Sequence, residues 1–263
     1  MNYTEYIVPA TDNRRVVLVT DIHLCHVAWD GIEPMARMEQ LCAELAAFRE
    51  KQPYDLILCL GDYSLDFWEW DIGGSCLWDP PVSYTAKVME MVLPQFPVKA
   101  YPLPGNHEQY GHANWQRITG FPREYAVVYG DTVFALCDTF GGDLDPTTHR
   151  DGTYTGLNVA FLNKVLRRHP DKRIFLCAHD LLPEQESEEA RTLICENPAV
   201  EAVFAGHIHL AKTVLLDRSW RHLPVFYCGD YSYTSDPHRQ DKPHRGFRVL
   251  ELGEGFSTDY IGG

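Results

Sequence analysis

Basic residues are the scarce ones here: 23 Lys and Arg stand against 37 Asp and Glu in 263 residues, for a formal net charge of −14. A surface of that sign repels polyanions, so neither nucleic acid nor an anionic membrane face is expected as a partner. Long apolar runs are also missing, since no stretch reaches the ~18–20 residues of a membrane span. The opening MNYTEYIVPATDNRR has no basic region followed by an apolar one and does not read as a leader. Together these absences predict a cytoplasmic location. No CxxC pair occurs either. The eight cysteines, at 25, 42, 59, 76, 137, 177, 195 and 228, sit in or near apolar segments and read as reduced thiols, not as disulfides or a zinc knot. Four of them fall 17 residues apart, but their neighbours do not repeat, so no internal repeat is assigned.

What is present suits a folded enzyme. Hydrophobic residues make up 45% and aromatics 12%, too much for a disordered chain. Apolar, β-branched runs at Val16–Thr20, Leu56–Leu60, Val98–Leu103, Ile174–Ala178 and Val203–Ala205 are short enough to be buried strands. Met35, Met38, Leu41, Cys42 and Leu45 recur at helical spacing, as do Val88, Met89 and Val92, and then Leu157, Phe161 and Val165. Tyr125–Val128 and Thr132–Cys137, joined through Gly130-Asp131, read as a hairpin, and Val214–Leu216, Val225–Cys228 and Phe247–Leu250 as further strands. Antiparallel neighbours inside an alternating chain predict an α/β fold of two mixed β-sheets packed face to face with helices outside, a four-layer αββα sandwich. No composition shift marks a boundary, so residues 1–263 are read as one domain.

Each of the first five runs is followed at once, or within a few residues, by groups that bind hard or borderline metals. They are Asp21 and His23 after VVLVT, Asp62 after LILCLG, Asn106, His107 and Glu108 after VKAYPLPG, His179 and Asp180 after IFLCA, and His207 and His209 after VFAG. The carboxyl ends of strands in an α/β sheet converge on one crevice, so five such loops are able to build one site. Carboxylate, imidazole and amide oxygen are ligands for manganese, iron or zinc. An Asp-x-His or His-x-His pair just past a strand sends alternate side chains to one centre if the backbone stays extended, and glycines at 61, 105 and 206 allow tight turns beside the ions. Each fragment alone is weak, since an Asp-x-His pair arises by chance and a strand-end Gly-Asp is more often a turn.

In this order the blocks D-x-H, G-D, G-N-H-E, H and G-H-x-H resemble the calcineurin-like metallophosphoesterase family. The resemblance implies two divalent or mixed-valence ions (Mn, Fe or Zn). One would be held by Asp21, His23 and His209, the other by Asn106, His179 and His207, with Asp62 bridging both. It implies hydrolysis of a small phosphomonoester or phosphodiester by hydroxide shared between the metals, and it places His107 opposite the substrate as proton donor or charge neutraliser. Purple acid phosphatases carry a Tyr three residues after the bridging Asp. Leu65 stands there, which disfavours the iron-tyrosinate branch. Asp180-Leu181-Leu182-Pro183 replaces the His-Pro-Pro of many relatives, so no substrate preference is carried over.

Other residues have a bland reading beside the sharp one. Trp68, Trp70 and Trp78 follow Asp62 closely and would form an aromatic wall for a ring-bearing substrate, or else pack their own loop. His26 and His112 lie near motif histidines and would touch phosphate or orient a ligand, or else sit at the surface. Arg117, Arg123 and Arg150 would grip a second anionic group, or else are ordinary surface arginines. The acidic Glu184–Glu189 stretch reads as a solvated helix start. The rival to an enzyme is a catalytically silent scaffold for protein partners. Such members lose a ligand or the catalytic histidine, and none is lost here. Oligomeric state is not legible.

Overall fold

A computed structural model describes residues 3–67, 83–141, 152–232 and 245–262. In chain order the elements are β1 (Thr4–Val8), β2 (Arg15–Val19), α1 (Pro34–Lys51), β3 (Leu56–Cys59), α2 (Tyr84–Lys87), β4 (Ala100–Pro102), α3 (Gly111–Thr119), β5 (Tyr125–Tyr129), β6 (Thr132–Cys137), α4 (Val159–Arg168), β7 (Arg173–Ala178), α5 (Glu188–Glu196), β8 (Val200–Ala205), β9 (Ala211–Leu215), β10 (Pro224–Cys228), β11 (Gly246–Leu252) and β12 (Phe256–Gly262).

Two mixed sheets result, as the alternation predicts. One has seven strands in the order β1-β5-β6-β7-β8-β10-β9, the other five in the order β12-β11-β2-β3-β4. The hairpin reading holds, with β5 and β6 antiparallel and Gly130 at φ 60° in the turn. Period-two burial sorts the strands into layers. Val16 and Leu18 of β2 with Leu56 and Leu58 of β3 face Val127, Phe134 and Phe175 of the larger sheet. Val17, Val19, Ile57 and Cys59 face the other way, onto Met38, Leu41 and Leu45 of α1. On the far side of the larger sheet, Val133, Leu176 and Val203 pack against Phe161, Leu162 and Val165 of α4 and Ile194 of α5.

Helix ends follow local chemistry. Pro34 opens α1, the Asn158 side chain accepts from Phe161 N at the start of α4, and Ser187 accepts from Ala190 N at the start of α5. Glu188 and Glu189 fill the first turn of α5, where their charge suits the helix dipole, but Glu186 turns inward to accept from Tyr154 OH and Leu157 N. After α2 the backbone widens into a π-type turn at Val88–Val92, whose Val88 and Val92 are buried against α1. The seven described cysteines are all unpaired. Among the described residues, no helix is long and apolar enough to cross a membrane.

Candidate metal centre

β2, β3 and β4 are mutually parallel in the smaller sheet, and β7 and β8 are parallel in the larger one. Their carboxyl ends deliver Asp21, His23, Asp62, Asn106 and His107 from the first sheet and His179, His207 and His209 from the second, all buried except a half-buried His207. The backbone does not stay extended as it leaves these strands, contrary to the expectation from side-chain alternation. Asp21 (φ 53°), His23 (44°), Asp62 (56°), His207 (67°) and His209 (54°) are all left-handed. L-residues avoid this region at a cost of ~1–3 kcal/mol each, and such strain gathers at functional sites. Hydrogen bonds hold it in place. Asp21 N donates to Gly61 O (3.1 Å) and His23 N to Asp62 O (3.0 Å), while Glu108 takes the amides of Asp62 (2.8 Å), Tyr63 (2.9 Å) and Gly105 (2.8 Å). Gly61 has φ 95°, a true turn glycine, whereas Gly105 is needed for close approach: a Cβ there would stand 2.2 Å from Asp62 Oδ1.

The side chains meet in three overlapping sets, of which His23, Asp62 and His107 link the other two. Donor atoms of Asp21, His23 and His209 lie within 4.8 Å of one another, and so do those of Asp62, His179 and His207. In the first set His23 Nε2 is 3.2 Å from His209 Nε2 and 3.5 Å from Asp21 Oδ1. In the second, His179 Nε2 is 3.1 Å from Asp62 Oδ2, and His207 Nδ1 is 3.1 Å from Asn106 Oδ1. Asp62 Oδ2 also lies 3.6 Å from His23 Nε2, so one carboxylate stands between the sets. His107 N donates to Asp62 Oδ1 (3.1 Å), and its ring stands edge-on to His23 at 5.2 Å.

Orientation of the imidazoles favours lone pairs on the inside. His179 Nδ1 faces Leu60 O at 2.6 Å and must donate there, leaving Nε2 as an acceptor turned to Asp62. Asp230 Oδ2, 3.3 Å from His209 Nδ1, fixes His209 in the same sense. His179 Nε2 and Asp21 Oδ1 are buried, and no neighbour is aligned to hydrogen-bond either. Such atoms cost ~1–3 kcal/mol each unless something satisfies them, and a cation would satisfy both, so the donor set fits a pair of divalent ions. In the metal-free protein protons take that place. Burial alone would lower His179 and His209, but the Asp62 and Asp21 carboxylates push both up to about 10. Burial would raise Asp21 and Asp62, yet the surrounding imidazoles hold both below the usual carboxylate range. For His107 burial wins over Asp62 and brings it down to about 3.

Further residues stand around the candidate ligands. Asp230 lies past β10, far along the chain from the residue it orients. Asp180 Oδ2 approaches His207 Nε2 at 3.8 Å, and Phe140 stands 5.8 Å from the His179 ring and 5.9 Å from that of His207. The sequence does hint at two of them: Asp180 directly follows His179 past its strand, and Gly229-Asp230-Tyr231-Ser232 repeats Gly61-Asp62-Tyr63-Ser64. Arg123 is not a surface residue or an anion clamp but is buried and bidentate on Asp138. His26 and His112 are exposed, and no contact joins His26 to the candidate ligands among the described residues. Arg117 is exposed as well. Trp68, Trp70, Trp78 and Arg150 lie outside the described residues.

Two face-to-face mixed sheets with a His/Asp cluster at their shared carboxyl end define a metallophosphoesterase type of fold and site. The family profile of calcineurin-like phosphoesterases matches residues 14–211, and the chain belongs to that family. Among solved structures it is similar to purple acid phosphatase PPD1 from yellow lupin (Lupinus luteus) seeds, at 16% identity and TM-score 0.56 over 95% of this chain and 51% of that one. The chain thus spans about half the length of that phosphatase. It is also similar to Plasmodium GAP50, described as the anchor in the inner membrane complex, at 14% identity and TM-score 0.58 over 94% of this chain and 84% of that one. Likeness at these identities concerns the fold alone. No curated protein matches the chain by sequence.

Proposed function

We propose that the protein is a dinuclear metal-dependent phosphoesterase acting on a small phosphorylated molecule. The observation that carries this reading is the convergence of Asp21, His23, His209 and of Asp62, His179, His207 into two donor sets that share the reach of Asp62. Asp21, His23 and His209 would hold one ion and Asn106, His179 and His207 the other, with Asp62 within reach of both sets. When bound, divalent cations, with manganese, iron and zinc all compatible with these donors, would lower the pKa of a water and neutralise charge on phosphoryl oxygens.

The protein's own groups do the rest. Asp230 and Leu60 O keep His209 and His179 in the ligating tautomer. Glu108 pins the loops that carry Asp62 and Asn106 to each other. His107, beside Asp62 and His23, would donate a proton to the leaving oxygen or neutralise charge on the phosphoryl group. The net charge of −14 favours a small metabolite over nucleic acid, and Trp68, Trp70 and His26 are the candidates for contact with its non-phosphate part.

The test is chelation and repletion. Metal-free protein should lose hydrolysis of an aryl phosphate or an aryl phosphodiester and regain it with Mn²⁺. Full occupancy by two cations with no hydrolysis over a broad panel of nucleotides, cyclic nucleotides and sugar phosphates would favour the silent scaffold instead.

A further inference from the structure

Three arginines are buried among the described residues, and two of them end at the loops that carry the candidate ligands. Arg37, in the first turns of α1, donates from Nη1 to Ile22 O (2.6 Å) and Tyr231 O and from Nη2 to His23 O (3.3 Å). Ile22 and His23 belong to the loop after β2 in the smaller sheet. Tyr231 belongs to the loop after β10 in the larger sheet, directly after Asp230, the residue facing His209 Nδ1. Arg123, ahead of β5, donates from Nη1 to Glu108 O (2.9 Å), in the loop after β4 of the smaller sheet. Its Nη2 and Nε hold Asp138, after β6 of the larger sheet, with Nη2 3.2 Å from Oδ1. Asp138 Oδ1 in turn accepts from Phe140 N (3.1 Å) and Gly141 N (3.2 Å), which sets Phe140 against His179 and His207.

Each arginine therefore joins one loop of each sheet, and each does so beside a different donor set. We propose that Arg37 and Arg123 are positioning residues, one per cation, locking across the sheet interface the ligands that each cation needs. Arg37 serves the Asp21, His23 and His209 set, and Arg123 serves the Asn106, His179 and His207 set. This rests on the dinuclear reading above. Because every set takes ligands from both sheets, a slide of one sheet end against the other opens the set without unfolding anything. A guanidinium suits the task because its donors point outward in a rigid fork that spans two loops, whereas an ammonium radiates its donors from a single atom. Burying a guanidinium on backbone carbonyls is a poor way to gain stability alone, since desolvation offsets the attraction.

The experiment titrates metal-free protein with Mn²⁺ by calorimetry and compares it with Arg37→Lys and Arg123→Lys, which keep the charge and lose the fork. Each variant should weaken one of two cations by ~10–100-fold, the scale of losing a group that orients a ligand, and leave the other within about twofold. Repeating each in His23→Ala and His207→Ala backgrounds assigns the sites. Arg37→Lys should have no further effect where His23 is gone and its full effect where His207 is gone, and Arg123→Lys the reverse. Equal weakening of both cations, unchanged affinities, or loss of the fold on either substitution overturns the proposal, since each marks a role in stability only or no role. A parent protein that binds no Mn²⁺ would instead sink the dinuclear reading, and this proposal with it.

Discussion

The two sheets bring different chemistry to the same crevice. Counting the candidate ligands and His107, the five-stranded sheet supplies both carboxylates, the amide and two imidazoles, at Asp21, Asp62, Asn106, His23 and His107, while the seven-stranded sheet supplies three imidazoles, at His179, His207 and His209. Both ligand carboxylates thus come from one side and most of the imidazoles from the other, with Asp180 and Asp230 of the larger sheet standing behind His207 and His209, and neither sheet alone completes a donor set. The centre is consequently a property of the interface between the sheets, held by the layer of Val16, Leu58, Phe134, Phe175 and Phe204 beneath it.

Removing the carboxylate common to both sets should do the most damage. Asp62→Ala is expected to lose both cations and bring hydrolysis to background, read by metal analysis and by turnover of an aryl phosphate. Retention of one tight cation would show that the sets are independent after all. Next comes His107→Ala, which belongs to the five-stranded sheet but to neither ligand set in the proposed assignment. It should keep two cations and lower kcat by ~10²–10⁴, the usual scale for an acid–base group; normal turnover would remove it from the mechanism.

Core substitutions sharpen the contrast between the interface and the outer faces. Phe175 stacks on Phe134 at 5.7 Å between the sheets, whereas Leu162 of α4 packs on the outer face of the larger sheet. Phe175→Ala is expected to cost ~3–5 kcal/mol and Leu162→Ala ~2–5 kcal/mol, so both should lower Tm. Only Phe175→Ala should also weaken Mn²⁺ in the folded variant, and weaken both cations together. If Leu162→Ala weakens them equally, the outer layer is as tightly coupled to the centre as the interface is.

What could be read in the sequence was whatever is local along the chain. VVLVT, LILCL and IFLCA are buried on both faces and so are apolar throughout, and the groups at their ends announce themselves by type and spacing. β1 escaped because its residues are exposed or half-buried, with Ile7 facing solvent, and α3 because Trp115 is its one buried side chain. The left-handed turns at the ligands escaped because they are held by amides and carbonyls of neighbouring loops, although Asp and His enter that region more readily than most L-residues. Arg37 and Arg123 reach across the sheet interface, and nothing in their flanking residues distinguishes them from ordinary charged positions, whereas Asp230 sits in a Gly229-Asp230-Tyr231-Ser232 run that repeats Gly61-Asp62-Tyr63-Ser64.

The smallest expected effect separates the sheets by their protons. In the metal-free protein His179 and His209, from the seven-stranded sheet, are pushed from 6.5 up to about 10 by the carboxylates opposite. The stability they contribute is whole below pH 6.5 and is lost as pH rises through 10. Asp21 and Asp62, from the five-stranded sheet, are lowered instead, so theirs is present above the ordinary carboxylate pKa and lost only as pH falls well below it. Among the candidate ligands the imidazoles alone change charge over the alkaline range, while Glu108, raised by burial to about 8, ionises beside them. Cations must displace their protons, so the same rise in pH that weakens the metal-free fold strengthens cation binding. Thermal unfolding with and without Mn²⁺ should show the metal-free Tm falling by roughly 5 °C between about pH 6.5 and 9.5, while the gap to the loaded protein widens. A gap that narrows would mean that the carboxylates of the smaller sheet, and not the imidazoles of the larger one, set the competition between proton and metal.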